Sequence, residues 1–366
     1  MNSLKNKNVL ILSPQPWNDL KLSKHHYAST LAEMGNNVVF LCSPEKQVGI
    51  KSTIYHPSDQ SSTLMIAEYQ IPIPEFVKFK FPKFYQLVNW LFVKSLLKKT
   101  FKSIDLCIDF GHHSLYKDLS KIKASKKILF PVDDFEKLEP KMRGADIGFS
   151  VSNVIVERFQ AAGLNFHFIN HGLAQEFIES QKNHILNTNK LERIKVGYSG
   201  NLMIPFLDRV LFKDLIEQNT NVDFHCFGKY QSDGNTKNRQ WEFWLSQQTN
   251  VKLHGMLDTQ NLAKNIQKMD VFILLYNPDG KNYHAENSHK ILEYLSTGKV
   301  VLSTPILSYK SSTLIETSIP KNFLASFKKI LQSLDVHNRH DKMQQRIEFA
   351  QKNSYIRQVE RILKLI

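Results

Sequence analysis

Polar and charged residues crowd one short stretch of this chain of 366 residues. The stretch contains Glu286, Asn287, Ser288, His289 and Lys290, and Glu293 follows one helical turn later. Ser288 can cap a helix, whose first turn carries free N–H groups and a partial positive charge that suit a phosphate. Lys290 adds a full positive charge, and the Glu293 carboxylate can accept hydrogen bonds from two neighbouring hydroxyls. The stretch therefore predicts a site for a phosphate joined to a diol, as in a nucleotide-sugar.

The residues that follow predict the elements that hold this site in place. Ile291, Leu292 and Leu295 have helical spacing and give the helix one apolar face. Gly298 lies where a helix is commonly closed by a left-handed residue. Residues 300–302, Val-Val-Leu, are typical of a parallel strand that is buried on both faces. The sequence thus predicts a loop, a short helix and a buried strand.

The same stretch resembles a known family. It reads Lys290-x-x-Glu293-Tyr294-Leu-x-x-Gly298-Lys-Val-Val and is similar to the donor-site signature of group 1 (family 4) glycosyltransferases of the two-domain GT-B type. The resemblance implies that Glu293 holds the ribose of a nucleotide-sugar. Many members carry a second glutamate eight positions earlier, where this chain has Ala285 followed by Glu286.

Candidate roles follow from the helix entrance and from the resemblance together. Glu286 and Lys290 are the candidate catalytic groups of this stretch. Asn287, Ser288 and Glu293 are the candidate donor-binding residues.

Three further runs, 195–201, 222–229 and 251–256, are each predicted to form a strand with a glycine at its carboxyl end. We call this glycine the glycine exit of the strand. We expect Gly200 and Asn201 to let backbone amides approach a diphosphate. In the resembled fold such exits surround the nucleotide base, so the other donor-binding candidates are Gly228, Lys229, Gly255 and Met256. Many members place Arg and Lys at the first exit, whereas Gly-Asn here resembles a subgroup of cell-surface polysaccharide transferases. Charge neutralisation is then expected from Lys290 and the helix dipole, together with Lys229.

Composition sets the class of protein and of partner. A hydrophobic content of 42% and a charged content of 22% are typical of a globular chain. The 48 Lys and Arg residues against 34 Asp and Glu residues give a net charge of +14, which favours an anionic partner. Three widely spaced cysteines, Cys42, Cys107 and Cys226, favour reduced thiols of a cytosolic protein and do not indicate a zinc site. The apolar run 9–12 is too short for a signal peptide, and no run reaches the ~20 apolar residues of a membrane span.

The first half of the chain opens with a strand at 8–13, a loop at 14–23, a helix at 25–34 and a strand at 38–42. This order predicts a doubly wound α/β domain, which binds ligands at the carboxyl ends of its strands. In the loop, Trp17 either stacks on a sugar or packs internally, and Lys24 is placed to meet a phosphate.

Later strands of this half deliver further polar residues. His112 and His113 follow a strand at 104–109, and the resemblance implies that a histidine near this point contacts the donor sugar, so both are candidate catalytic residues. Asp133 and Asp134 end the strand at 127–132 and either bind sugar hydroxyls, serve as a base or cap a helix. Residues 170–172, Asn-His-Gly, resemble the step that ends the N-terminal domain of the family.

Residues 71–103 differ from the rest of the chain in composition. No acid lies between Glu75 and Asp105, while seven lysines and eight aromatic residues are interspersed there. Basic and aromatic side chains together suit the surface of an anionic membrane, although a core helix with solvated lysines gives the same pattern. Nucleic acid is not an expected partner, because the chain carries no nucleic-acid-binding motif.

The predicted fold is α/β, with two Rossmann-like domains facing each other across a cleft and a C-terminal helix crossing back to the first domain. Residues 1–175 are the predicted N-terminal acceptor domain, 190–350 the nucleotide-sugar donor domain, and 351–366 the returning helix.

The predicted function is transfer of a sugar, with retention and without a metal or cofactor, from a UDP- or GDP-linked donor. The expected acceptor is lipid-linked or a surface glycan, on the inner face of the cell membrane and in polysaccharide biosynthesis. Two alternatives stay open: a nucleotide-sugar 2-epimerase, and a non-catalytic glycan- or lipid-binding protein on a transferase scaffold.

Overall fold

The structure is a computed structural model that describes residues 5–18, 21–58, 60–110, 118–132, 139–182, 193–277 and 286–366. It divides into two compact units. The first unit comprises Met1–Gly172 and Tyr355–Ile366, and the second unit comprises Leu173–Ser354. Each unit is built around its own sheet.

The first unit contains one eight-stranded sheet and helices around it. Its strands are β1 (Asn8–Leu12), β2 (Asn37–Leu41), β3 (Ser52–Tyr55), β4 (Leu64–Tyr69), β5 (Ile104–Asp109), β6 (Ala124–Leu129), β7 (Ile147–Ser150) and β8 (Phe166–Phe168). Its helices before the crossing into the second unit are α1 (Ser23–Glu33), α2 (Val77–Lys80), α3 (Pro82–Thr100) and α4 (Asn153–Ala161), with a 3₁₀ turn at Leu119–Lys121.

The strand order of the first unit is β3-β4-β2-β1-β5-β6-β7-β8, and every pair is parallel except β3 with β4. Strand β1 lies centrally, where Val9 pairs with Val38 of β2 and with Leu106 of β5. Four of its five residues, all apolar, are buried, as a parallel strand covered on both faces requires. The doubly wound α/β domain predicted for this half is therefore present.

The second unit repeats this plan with a fully parallel six-stranded sheet. Its strands are β9 (Lys195–Ser199), β10 (Asp223–Phe227), β11 (Val251–Gly255), β12 (Val271–Leu274), β13 (Val300–Ser303) and β14 (Glu316–Thr317). Its helices are α5 (Gln175–Lys182), α6 (Arg209–Gln218), α7 (Thr236–Ser246), α8 (Thr259–Ile266), α9 (His289–Ser296), α10 (Pro320–Gln332), α11 (Leu334–His337) and α12 (His340–Lys352), with a 3₁₀ turn at Leu307–Tyr309. The strand order β11-β10-β9-β12-β13-β14 brings the carboxyl ends of β9, β10 and β11 side by side.

The last helix, α13 (Tyr355–Leu363), belongs to the first unit. Its Tyr355 ring stacks on His26 with the ring centroids 4.9 Å apart, and its Gln358 amide donates to the His171 carbonyl at 3.0 Å. Gly172 makes room for this helix, because a Cβ there would lie 2.3 Å from the Tyr355 ring. The predicted fold class, two α/β domains with a C-terminal helix that returns to the first, is confirmed.

Within the described ranges, none of the helices combines the length and the apolar character needed to cross a bilayer.

Candidate functional site

The helix predicted from the polar stretch is α9, which begins at His289 directly after Ser288. Its residues Ile291, Leu292 and Leu295 are fully buried, and Gly298 adopts the predicted left-handed conformation with φ +76°. The prediction that the Ser288 hydroxyl caps this helix is wrong. Ser288 is the N-cap residue, but its side chain makes no capping hydrogen bond, and its Oγ lies 3.4 Å from the Tyr276 hydroxyl. The side chain is therefore turned toward Tyr276 and not toward the first-turn amides.

Lys290 is buried at the start of α9, with 9% of its surface exposed. Its ammonium donates to the Tyr276 hydroxyl at 3.4 Å and lies 5.6 Å from the centroids of the Tyr198 and Tyr276 rings. The same ammonium contacts the exit of β9, because a Cβ on Gly200 would be 2.5 Å from Lys290 Nζ. The positive charge predicted for the helix entrance thus lies directly beside the glycine turn of β9.

Glu293 lies one turn further along α9, and 17% of its side chain is exposed. Burial raises the pKa of its carboxyl from 4.5 to about 7, while the Lys290 ammonium and a hydrogen bond with the Ser199 side chain act in the opposite direction. His289 Nε2 lies 3.8 Å from Glu293 Oε1. A carboxyl whose pKa is perturbed by burial and by one specific cation is typical of a functional site.

A hydrogen-bonded tyrosine fixes α9 to the end of β9. The Tyr294 hydroxyl accepts a bond from the Ser199 amide at 2.7 Å and lies 3.1 Å from Ser199 Oγ. Its ring stacks on Phe272 of β12, with centroids 4.3 Å apart and planes 11° apart. Because Tyr294 is fully buried, these contacts set the position of its neighbour Glu293 relative to the exit of β9.

The glycine exits of β9, β10 and β11 are joined to one another. The Gly200 amide donates to the Phe227 carbonyl at 2.7 Å, and the Gly228 amide donates to the Gly255 carbonyl at 2.7 Å. All three glycines have positive φ, and a Cβ on Gly228 would lie 2.2 Å from the Gly200 carbonyl oxygen. The amides of Gly200 and Gly228 therefore hold the strand ends together, and only glycine fits at this junction.

The remaining donor-binding candidates lie around these exits. Asn201 is exposed, and its Oδ1 accepts a bond from the Met203 amide at 2.8 Å. The exposed Lys229 accepts a bond from the Leu202 amide through its carbonyl at 2.8 Å. Met256 follows Gly255 and is also exposed.

The residues just before α9 are packed inside the second unit, to which they belong. Glu286 is buried, and its carbonyl accepts a bond from the Ser308 amide at 2.9 Å. Asn287 is half-buried. Ala285 and the candidates of the first half, His112 and His113 with Asp133 and Asp134, lie outside the described residues.

Sequence reasoning missed the part that tyrosines take in this site. Tyr198 and Tyr276 flank the Lys290 ammonium, and Tyr294 fixes α9 to β9. Tyr294 stands next to Glu293 in the motif, Tyr198 lies in the predicted strand 195–201, and Tyr276 lies two residues after the end of β12. A search for polar residues at strand ends could have found the last two.

The first loop of the first unit contains packing contacts. The Trp17 ring packs edge-on against Phe40 and His25, with ring centroids 5.0 and 5.2 Å away. Lys24 is buried and bonds to the side chain of Gln15. Of the two readings of Trp17, packing is the one with contacts in the structure.

Comparison with models of known protein families finds no match, and neither does comparison with curated proteins. Solved structures do match. A sucrose-phosphate synthase from Thermosynechococcus elongatus is similar over 98% of this chain and 98% of its own, with a TM-score of 0.69 and 12% identity. An E. coli structure described as trehalose-6-phosphate bound with UDP-2-fluoro glucose matches over 98% of each chain, with a TM-score of 0.66 and 11% identity.

A lipopolysaccharide outer core galactosyltransferase matches over 98% of this chain and 100% of its own, with a TM-score of 0.62 and 15% identity. Each of these likenesses extends through both units. The chain therefore has the GT-B fold of two-domain glycosyltransferases.

Proposed function

We propose that this protein transfers a sugar from a nucleotide-diphosphate sugar to an acceptor hydroxyl. One observation carries the proposal: the buried Lys290 ammonium and the Glu293 carboxyl, with its raised pKa, lie together at the start of α9, beside the glycine exit of β9. An ammonium and a helix N-terminus suit a diphosphate, and a carboxylate suits the two hydroxyls of a ribose. A UDP-linked donor is supported by the similar E. coli structure, which is bound with UDP-2-fluoro glucose.

The mechanism follows from where charge develops. As the bond between the sugar and the diphosphate breaks, negative charge grows on the leaving phosphate. Lys290 and the first-turn amides of α9 stabilise that charge by electrostatic preorganisation. The proposed reaction uses no metal ion. The acceptor oxygen bonds to the anomeric carbon on the same face from which the diphosphate departs, and its proton passes to the departing phosphate oxygen. Attack on that face retains the anomeric configuration. Glu286, His112 and His113 remain the candidates for contacts to the sugar.

Donor binding and turnover are tested with purified protein and a panel of UDP- and GDP-sugars. A thermal shift with UDP or GDP, followed by nucleotide release that depends on an added glycan acceptor, is the expected result. Conversion of the donor to its 2-epimer without an acceptor would show that the protein is an epimerase and not a transferase. Binding without any turnover would leave only a carbohydrate-binding role.

The acceptor is proposed to lie at a membrane, because one surface of the first unit is apolar and basic together. We call it the aromatic-basic surface. It consists of the side chains of Phe76, Phe79, Phe81, Phe84, Leu87 and Leu91, each more than half exposed. Helix α3 buries Tyr85, Asn89, Val93 and Leu96 on its other face, so Phe84, Leu87 and Leu91 form a stripe directed away from the core.

Charge favours an anionic lipid bilayer as the partner of this surface. Lys80, Lys83 and Lys94 are exposed beside the apolar side chains, and no acid lies between Glu75 and Asp105. A lysine near an anionic bilayer contributes about 1 kcal/mol, and inserted aromatic rings add apolar burial. A lipid-linked acceptor on the inner face of the cell membrane is the substrate that such a surface would bring to the enzyme.

The membrane proposal is tested by sedimentation with phosphatidylglycerol vesicles. Replacing Lys80, Lys83 and Lys94 by Gln should lower partitioning roughly a hundredfold, at about 1 kcal/mol for each lysine. The matched control replaces the exposed Lys121, Lys123 and Lys126 of the same unit by Gln, which changes the net charge equally. Equal losses in both variants would show attraction by net charge alone and would reject the surface.

A further inference from the structure

A cavity of about 450 Å3 lies in the first unit at the carboxyl ends of β1, β2 and β4. Its walls on the sheet side are Pro14 and Pro16, which follow β1, residues 42–46, which follow β2, and Glu68 of β4. This volume is within the range of about 300–1,000 Å3 that small-molecule sites occupy. The place is also the one where open α/β sheets bind ligands.

The other wall of the cavity comes from the segment around α2. Glu75, Lys78 and Tyr85 line it, and Tyr85 is buried with 4% exposure. Phe76 and Phe79 alternate with these residues and are exposed as part of the aromatic-basic surface. One short segment therefore lines the cavity with some side chains and forms the aromatic-basic surface with others.

Two carboxylates of the cavity are oriented by neutral donors. The Tyr55 hydroxyl donates to Glu68 Oε1 at 3.3 Å, and the Gln70 amide donates to Glu45 Oε2 at 2.8 Å. Each of these bonds engages one oxygen of its carboxylate. A carboxylate has about four acceptor positions, so both groups keep capacity for donors on a ligand.

The glutamates at the cavity raise the pKa values of a thiol and two phenols around it. Burial raises the pKa of the Cys42 thiol to about 12, and Glu68 and Glu45 add to the effect. Burial and Glu68 raise the pKa of Tyr55 to about 12, and burial and Glu75 raise the pKa of Tyr85. A negative field of this kind disfavours phosphates and favours neutral ligands rich in hydroxyl donors.

Apolar rings complete the lining. Pro14, Pro16 and Pro44 with Tyr85 offer flat apolar surface, and Lys46 and Lys78 offer hydrogen-bond donors. Carboxylate acceptors, ammonium donors and flat apolar faces together suit a sugar ring, which presents hydroxyls at its edge and C–H groups on its faces.

We propose that this cavity binds the sugar head group of a membrane-anchored glycolipid, whose lipid lies in the bilayer that the aromatic-basic surface contacts. The inference rests on the proposed transferase function in one respect, namely that the bound head group is the acceptor. The carboxylates Glu45 and Glu68 hold its hydroxyls, and Glu75 and Lys78 connect the site to the membrane-facing segment.

The test compares vesicles of phosphatidylglycerol with the same vesicles containing glucosyl- or galactosyl-diacylglycerol. The full-length protein should bind at least one glycolipid vesicle more tightly than the plain one. Glu45→Gln and Glu68→Gln should each reduce that sugar-dependent gain about fivefold, because a charge-assisted hydrogen bond becomes a neutral one. Glu157→Gln, an exposed glutamate on α4, is the matched control and should keep the gain.

Several outcomes would overturn the proposal: no gain with either glycolipid, a gain that survives in Glu45→Gln and Glu68→Gln, or a gain with phosphatidylethanolamine and not with sugar. Glu45 is exposed, so its variant is expected to fold, and its circular dichroism and plain-vesicle binding should match the wild type. Thermal shift with the same panel of UDP- and GDP-sugars is measured in parallel. A glycolipid gain without binding of any of these donors would keep the cavity and reject the transferase function.

Discussion

The raised pKa of Glu293 predicts that this residue stabilises the second unit in acid and destabilises it in base. Burial favours the protonated carboxyl in the folded state, where the pKa is about 7 instead of 4.5. A folded pKa above the unfolded one gives stability that is present below about pH 4.5 and is lost as pH rises through about 7. The difference is equivalent to about 3 kcal/mol at most. It is an upper limit, because 17% of the side chain is exposed to solvent screening.

The perturbation is Glu293→Gln, which keeps the shape of the side chain and removes its charge. At about pH 4, below the unfolded pKa of 4.5, the Glu293 carboxyl is largely protonated in both the folded and the unfolded state, so the free energies of unfolding of the two proteins should be similar. At about pH 9 the variant should be more stable, by up to about 3 kcal/mol. The assay is urea denaturation across this pH range, followed by a probe in the second unit.

The same variant should bind UDP more weakly, because an amide accepts fewer hydrogen bonds from the ribose than a carboxylate does. A loss of about 1–3 kcal/mol in binding free energy is expected. Glu217→Gln, a half-exposed glutamate on α6, is the control and should change neither quantity. A stability difference that does not vary with pH would refute the electrostatic reasoning. Undiminished UDP affinity in Glu293→Gln would refute the ribose assignment.

Three other predictions concern the second unit. Tyr294→Phe removes the hydroxyl that bonds Ser199 and should cost about 1–2 kcal/mol in the free energy of unfolding, measured by urea denaturation; an unchanged midpoint would contradict the proposed fixing of α9. Gly200→Ala places a Cβ at 2.5 Å from Lys290 Nζ at φ +135°, so calorimetric titration should show weaker UDP binding, and wild-type affinity would contradict the packing argument. Burial, with His254 and Lys252, lowers the pKa of His225 from 6.5 to about 4, so stability should fall as pH drops from 6.5 to 4. His225→Phe should make the loss of stability between pH 6.5 and pH 4 smaller. An equally steep loss in the variant would contradict the role given to His225.

The local pattern of the sequence was enough to predict the elements around the site. The helical spacing of Ile291, Leu292 and Leu295, the closing Gly298 and the apolar run 300–302 all appear in the structure as α9 and β13. Such patterns depend on neighbours within a few residues, where backbone and burial preferences decide the conformation. The two-domain fold was predictable in part for the same reason, since strands alternate with helices in both halves.

Contacts between distant parts of the chain were not predictable from these patterns. The Tyr294 hydroxyl is hydrogen-bonded to the Ser199 amide, which lies 95 residues earlier in the sequence. The Lys290 side chain fills the space beside Gly200. The Ser288 side chain lies near the Tyr276 hydroxyl, which competes with the capping bond that its position would otherwise favour. The cavity of the first unit likewise combines residues from 14 to 85 that no motif connects.

The account depends most directly on where a donor nucleotide binds, so the decisive measurement is a crystal structure of the protein with UDP. The account predicts the diphosphate against the first turn of α9 and beside Lys290, with the ribose hydroxyls within hydrogen-bond distance of the Glu293 carboxylate. A nucleotide bound elsewhere, or one whose ribose lies away from Glu293, would contradict it.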